Sequence, residues 1–429
     1  MSTSLSARLS TRMGTEQVGK QHWTVHHQLA CDRAQALHDV HRKSKARPRT
    51  QRRARRRPTV DERDVGPCGS PQRTGAVAMT TITMLGSGIM ASALSVPLAD
   101  NGHEVRLVGT HLDRGIIDRI QLDGVHPGLF RALPKSVQAF QLEALEEAIS
   151  GAEIVLSGVN SFGVRWASEQ LAPLLTPDML VLAIAKGLDA DEHGNLRILP
   201  EVLAGRVPPQ VREQIAWSAI VGPSIAGEVA ARRDTCVLFV GTDQAALNRL
   251  AETFRTERYH VWTSLDLVGG EICAALKNCY ALGVGLAEGV LETLGELDSR
   301  DRIHNYEAAL FAQGAAEIAQ VVRLLDGRGQ PPHPLPSVGD MYVTSTGGRN
   351  VRVGRLMGTG LRFSEAREKL GNPTLEGAAA IEVVGAALVK LTERSVIDPD
   401  DFPLLRHLYE VVGLEQPLNM PWSKFFGSV

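Results

Sequence analysis

The chain is poor in cysteine, poor in aromatics and free of long apolar runs. Its five cysteines, Cys31, Cys68, Cys236, Cys273 and Cys279, show neither CxxC spacing nor the density of a disulfide scaffold. That excludes a stapled secreted module and implies no metal site. Stretches such as "MLVLAIA", Met179 to Ala185, fall far short of the roughly 18 to 20 residues needed to span a bilayer. A soluble cytoplasmic protein with no membrane segment is the expectation. The first 78 residues contain one aromatic, Trp23, so they lack the stacking platforms of a single-strand nucleic-acid binder.

What is present is unevenly distributed. Residues 1–78 carry 16 Lys+Arg against 6 Asp+Glu, leaving 30 against 42 for the rest. "HRKSKARPRTQRRARRRP", His41 to Pro58, cannot bury enough surface to fold alone. A nucleic-acid-binding arm, a transit peptide and upstream sequence outside the working protein are the three readings. Asp61, Glu62 and Asp64 count against the second, and Met79, directly before "TTITMLGSGIMAS", favours the third. The expected organisation is a disordered basic extension over 1–78, a nucleotide-binding domain over 79–267 and an all-helical domain over 268–429.

From Thr80, short apolar runs alternate with helical periods, as in a parallel sheet with crossover helices. "TITML" reads as a strand, "GSGIMA" as a tight turn and "SALSVPLADNGH" as a helix. The turn fits GxGxxG/A with Gly86, Gly88 and Ala91. The first glycine permits the bend, the second lets a pyrophosphate approach the backbone, and the third position must be small for helix-on-strand packing. Ser87, Ile89 and Met90 complete this Rossmann-type cofactor candidate. The next strand, "EVRLVG", is followed by Gly109, Thr110 and His111, with Arg114 nearby. No acid stands at the strand end to take a ribose hydroxyl, so NADP is permitted beside NAD. Thr110 and Arg114 are candidates, with a solvated loop as the alternative.

"EIVLSGV", "MLVLAIA", "SAIVG" and "TCVLFVG" are further strands. Ligands gather beyond the carboxyl ends of such strands, which singles out Asn160-Ser161, Lys186-Gly187 and Gly222-Pro223-Ser224. Ser224 is also placed to cap the following helix. "GVHPGL" around His126 is a loop that lines the cleft or merely turns.

In the second half, "GGEICAALKNCYALGVGLAEGVLE", Gly269 to Glu292, is apolar nearly all round and therefore a buried helix. Its interior glycines cost about 1 kcal/mol each relative to alanine, so another element must approach closely. Lys277 and Asn278 interrupt it, and a buried ammonium needs a cleft or an acidic partner. "SVGDMYVTSTGGRNVRVG", Ser337 to Gly354, reads as a polar break in otherwise helical sequence.

Taken together these residues resemble the soluble NAD(P)-dependent glycerol-3-phosphate dehydrogenase family from about Thr80 to Val412. "AKGL" (Ala185 to Leu188) resembles A-x-K-G-L, and "GPSIAGE" (Gly222 to Glu228) resembles G-P-S/T-F-A-x-E. "LKN" (Leu276 to Asn278) resembles L-K-N-V, "GDMYVTSTGGRN" resembles G-D-L-x-x-T-C-x-x-x-x-R-N, and "LEG" (Leu375 to Gly377) resembles V-E-G. The resemblance implies a Rossmann domain followed by a helical domain like that of 6-phosphogluconate dehydrogenase. It also implies site roles. Lys277 would donate and accept the proton, with Lys186 and Asp340 beside it. Asn278, Thr344 and Ser224 would meet the substrate, and Arg349 and Asn350 its phosphate. Glu376, Lys186, Arg349, Asn160 and Ser161 would border the cofactor. A homodimer acting on a small phosphorylated polyol or ketone is implied as well.

The departures from that pattern bear on the substrate. Met90 and Ala91 stand where W/F-G is usual, Asn160 replaces a proline, and Val351 follows Arg349-Asn350 where another arginine is common. Glu307 and Gln313 replace two basic positions, and the loop from Gly289 to Asn305 is long and acidic. The leading expectation is hydride transfer between NAD(P) and C2 of glycerol 3-phosphate or dihydroxyacetone phosphate. The alternatives are a related dehydrogenase of another phosphorylated polyol or hydroxy acid, and a nucleotide-sensing, nucleic-acid-binding protein.

Overall fold

The computed structural model describes residues 78–293, 304–326 and 333–426. The basic tail before residue 78, and residues 294–303 of the acidic loop, lie outside the described residues. The sheet contains β1 (Thr81–Leu85), β2 (Glu104–Val108), β3 (Val137–Phe140), β4 (Ile154–Ser157), β5 (Leu180–Ala183), β6 (Ala216–Val221), β7 (Thr235–Gly241) and β8 (Tyr259–Ser264). Their order is β8-β7-β6-β5-β4-β1-β2-β3. β4 and β5 are buried at every residue, as expected of parallel strands covered on both faces.

Two details depart from the reading of the sequence. The strand at Thr235–Gly241 runs antiparallel to its neighbour β6 rather than extending a parallel sheet. The link between them carries only the short helix Ala226–Ala230, too little to cover the sheet in a crossover. In addition, β3 and β8 are strands not expected from their sequences. "VQAF" is short, and "YHVWTS" alternates as an edge strand, with Trp262 53% exposed.

The helices that matter for the site are α1 (Ile89–Asp100), α2 (Arg114–Asp123), α3 (Leu267–Thr293), α4 (His304–Asp326), α5 (Asp340–Ser345), α6 (Arg349–Gly358), α7 (Glu376–Glu393) and α8 (Pro403–Val412). α1 starts inside the stretch read as a turn, because Gly88 adopts an extended N-cap conformation and Ile89 is already helical. α3 is buried on nearly every side. The polar break proves to be structured: a π-turn over Leu335–Gly339 leads into α5. Its hydroxyls are satisfied within the turn, since Thr344 Oγ1 donates to the Asp340 carbonyl at 2.7 Å and Ser345 Oγ to that of Met341 at 2.8 Å. Such back-bonding lets a polar stretch remain helical.

The interior glycines of α3 meet α6. A Cβ on Gly285 would collide with the Val351 carbonyl oxygen, and one on Gly289 with that of Arg355. In return, a Cβ on Gly354 would collide with the Leu282 carbonyl oxygen, and one on Gly358 with that of Leu286. Two glycines four apart on each helix therefore let the backbones touch. This crossing fixes α6, which begins with Arg349 and Asn350, against α3, the helix that holds Lys277. α4 packs on α3 and α8. Its buried Glu317 accepts from the amides of Leu404 and Leu405 at 2.7 and 2.9 Å and from Tyr280 Oη at 3.0 Å, so a carboxylate caps α8 from inside the core.

Candidate active site

α3 places Lys277 inward, 6% exposed, and α5 places Asp340 opposite it, 2% exposed. Lys277 Nζ donates to Asp340 Oδ1 at 2.8 Å and to Thr344 Oγ1 at 2.6 Å. Lys186, three residues past the end of β5, donates to Asp340 Oδ2 at 2.6 Å and to the Gly222 carbonyl at 3.1 Å. One carboxylate thus bridges two ammonium groups brought together from the sheet edge and the helical half. The cluster holds one more positive than negative charge, which favours an anion or a growing alkoxide.

Burial is the main reason that the Lys277 ammonium is held down at about 8, with Lys186's charge adding to it and Asp340 opposing it. Glu271, one and a half turns earlier on α3, is 1% exposed with neither carboxylate oxygen hydrogen-bonded. Burial pushes it up to about 8 against the pull of Lys186.

The glycine turn lies at the point where strand order reverses, with β1 between β2 and β4. Gly86 has φ +108, and a Cβ there would stand 2.8 Å from the Gly158 carbonyl carbon. Gly158 would in turn meet Ala91 Cβ at 2.6 Å, so the third position of the motif must be small. Gly88 faces open space. Ser87 Oγ and Ser161 Oγ are buried without partners. A bare glycine next to orphaned hydroxyls at a helix N-terminus fits a dinucleotide phosphate and ribose.

The other expected residues divide. Glu376, first in α7, reaches across to Ser161 N at 3.4 Å. Gly377 must be glycine, since a Cβ there would stand 2.6 Å from the Asn278 carbonyl oxygen and 2.8 Å from Asn350 Oδ1. Asn350 Oδ1 is buried and unpaired, while Arg349 is exposed. Asn160 Oδ1 is spent locally, accepting from Gly163 N at 3.1 Å.

Two expectations, the Ser224 cap and the lack of an acid beyond β2, need correcting. Ser224 does not cap the next helix, whose N-cap is Ile225 without a side-chain bond. Its hydroxyl lies 3.8 Å from Met90 Sδ at the glycine turn rather than bonded to the lysine cluster. Arg114 is paired with Glu143. An acid does stand beyond β2: Asp113 Oδ2 accepts from Ser87 N at 3.2 Å, Thr110 N at 2.9 Å and Thr110 Oγ1 at 2.8 Å. The loop folds this acid, five residues past the end of β2, back onto the turn. Beside this cleft lies a cavity of about 340 Å³ whose walls include Asn160, Phe162, Arg367 and Glu382.

Two family profiles match. One, described as the N-terminus of NAD-dependent glycerol-3-phosphate dehydrogenase, covers residues 81–247, and the other, its C-terminus, covers 266–421. An NADP(+)-dependent glycerol-3-phosphate dehydrogenase of Archaeoglobus fulgidus is 34% identical over 343 residues, 79% of this chain and 97% of that one. The chain belongs to the NAD-dependent glycerol-3-phosphate dehydrogenase family. A glycerol-3-phosphate dehydrogenase [NAD(P)+] of Shouchella clausii is 31% identical, covering 78% of this chain and 92% of its own length. Among solved structures, glycerol-3-phosphate dehydrogenase from Coxiella burnetii superposes with a TM-score of 0.65 at 26% identity, covering 81% of this chain and 97% of that one.

Two of the departures from this family's usual pattern, Val351 and Gln313, have physical reasons. Val351 is 4% exposed with its backbone against Gly285, where an arginine would have to be buried. Gln313 is 5% exposed and bonds Glu317 Oε1 at 2.8 Å and Phe426 N at 3.0 Å. Its amide serves the helix core, joining the buried Glu317 carboxyl to the Phe426 amide.

Proposed function

We propose that Lys277 is the proton donor and acceptor in NAD(P)-linked interconversion of glycerol 3-phosphate and dihydroxyacetone phosphate. The observation that carries this reading is the buried Lys277–Asp340–Lys186 bridge. When bound, the nicotinamide cofactor supplies or accepts the hydride at the C2 carbon. In reduction the ketone oxygen gains negative charge, and Lys277 gives it a proton while Lys186 stabilises the charge. In oxidation neutral Lys277 takes the hydroxyl proton. Asp340 keeps both ammonium groups in place, and Thr344 accepts a second N–H of Lys277 Nζ, leaving the third for the substrate oxygen.

Arg349 and Asn350 hold the substrate phosphate, the guanidinium by two parallel hydrogen bonds. Asn278 faces the substrate one residue on from Lys277, and Glu376 borders the ribose. Binding energy at the phosphate orients the distant carbonyl. The glycine turn, with Ser87 and Ser161, receives NAD or NADP. A functional boundary near residues 267 and 268, pairing of two chains and a cytoplasmic location belong to the same proposal, supported by the resemblance. α4 is long and apolar enough to cross a membrane by length and composition, yet it packs on α3 and α8.

The test uses the full chain with NADH or NADPH and two ketones, dihydroxyacetone phosphate and dihydroxyacetone. The wild type should strongly prefer the phosphorylated ketone. Arg349→Ala should raise KM for that ketone by about tenfold to a hundredfold, the scale of a lost charge-assisted pair, and leave the unphosphorylated one nearly unchanged. Equal losses with both ketones would remove Arg349 from the phosphate site.

A further inference from the structure

The loop "GVHPGL" has so far played no part in the site. It forms a small ribbon, Val125–His126 pairing with Arg131–Ala132, and His126 within it is fully buried. His126 Nδ1 accepts from the amides of Gly128 and Leu129, each at 3.1 Å. A nitrogen facing two N–H groups carries no proton, so the ring proton belongs to Nε2. That nitrogen lies 2.9 Å from the Ser87 carbonyl oxygen, in the middle of the glycine turn.

The Ser87 carbonyl and the Gly88 N–H belong to one planar trans peptide and point in opposite directions. Holding the oxygen on one side therefore aims the N–H at the other, and a Cβ on Gly88 would meet nothing within 4 Å. The preceding peptide is held as well, because Ser87 N donates to Asp113. Loops from two parts of the chain thus grip both flanks of Ser87. The Ser92 hydroxyl, 3.2 Å from the same carbonyl oxygen, is a weaker second donor.

We propose that His126 is a positioning residue for the cofactor: by donating to the Ser87 carbonyl it orients the Gly88 amide toward the dinucleotide pyrophosphate. The inference rests on the cofactor reading above. It concerns a residue that need not touch the cofactor at all. The Gly128 and Leu129 amides on Nδ1 hold the ring in the orientation that points Nε2–H at Ser87. The gain is preorganisation, the turn being set before the ligand arrives.

Two substitutions separate the contacts of the ring. His126→Asn keeps an acceptor near the Nδ1 position for the loop amides but cannot reach Ser87. His126→Gln places an amide N–H near the Nε2 position and loses the acceptor. In the full chain, dissociation constants for NADH and NADPH are measured by titration, alongside kcat at saturating cofactor and thermal melting. His126→Asn should weaken both cofactors by about tenfold, the surviving Ser92 bond limiting the loss, with kcat within about twofold of wild type. His126→Gln should recover most of the affinity even if it melts earlier.

The proposal is overturned if His126→Asn binds as tightly as wild type, or if the two variants lose affinity equally. A wild type that binds neither dinucleotide would instead overturn the cofactor reading itself.

Discussion

Lys277→Met is expected to give a folded protein whose kcat for ketone reduction is about a thousandfold lower, within the range that a positioned general acid supplies. Methionine matches the length of the lysine stem and needs no hydration, so the fold should not suffer. The side chain is 6% exposed, and burying its charge is costly before any partner is counted. Asp340 remains paired with Lys186 at 2.6 Å, so the substitution strands no carboxylate. Thermal melting at or above the wild-type temperature together with the loss of kcat would confirm a chemical role. A residual kcat within tenfold of wild type would place the proton donor elsewhere.

The second large effect is on stability. Alanine in place of an interior helical glycine should help by about 1 kcal/mol through helix propensity. At Gly289 and Gly354 that gain is overwhelmed, because the new methyl would run into backbone of the crossing helix, which cannot rotate away as a side chain can. Overpacking of this kind costs typically about 1–3 kcal/mol and more when backbone must move. Gly289→Ala and Gly354→Ala are therefore expected to destabilise by about 3 kcal/mol or more in urea titrations. Gly115→Ala, where a Cβ would meet nothing within 4 Å, should be neutral or stabilising. Separation of α3 and α6 would also draw Arg349 away from Lys277, so KM for the phosphorylated ketone should rise in whatever folds. Equal stability of the Gly289 and Gly115 variants would show that the crossing is loose.

These two predictions rest on features that the sequence displayed to different degrees. Lys277 was visible because a charge inside an apolar helix demands a partner. The identity of that partner was visible only through motif resemblance, since Asp340 lies 63 residues away and no local period links the two. The glycines of α3 announced a close neighbour without naming it. The matching pair on α6 was hidden in "RNVRVGRLMG", where Gly354 and Gly358 resemble ordinary helix breakers.

β1 and its turn were legible because apolar strand, glycine spacing and helix follow within a few residues. β8 was not, because an edge strand with an exposed tryptophan has little apolar signature. Asp113 escaped, and His126 stood open between a cleft residue and a mere turn, because both reach Ser87 through loops that fold back from 26 and 39 residues away. α5 escaped because its hydroxyl-rich sequence disguises a helix whose polar groups are satisfied along its own backbone.

The most direct test of the central claim, that burial sets the proton affinity of a catalytic Lys277 while Lys186 and Asp340 tune it in opposite directions, is the pH dependence of kcat/KM for ketone reduction. Reduction requires protonated Lys277, so the wild-type rate should fall above a pH near 8, where that group loses its proton. Asp340 raises the proton affinity of Lys277 and Lys186 lowers it, so Asp340→Asn should move this alkaline limb to lower pH. Glu271, also held at about 8, is separated by Glu271→Gln, in which the limb should persist. A limb that stays in place in Asp340→Asn, or vanishes in Glu271→Gln, would contradict the account.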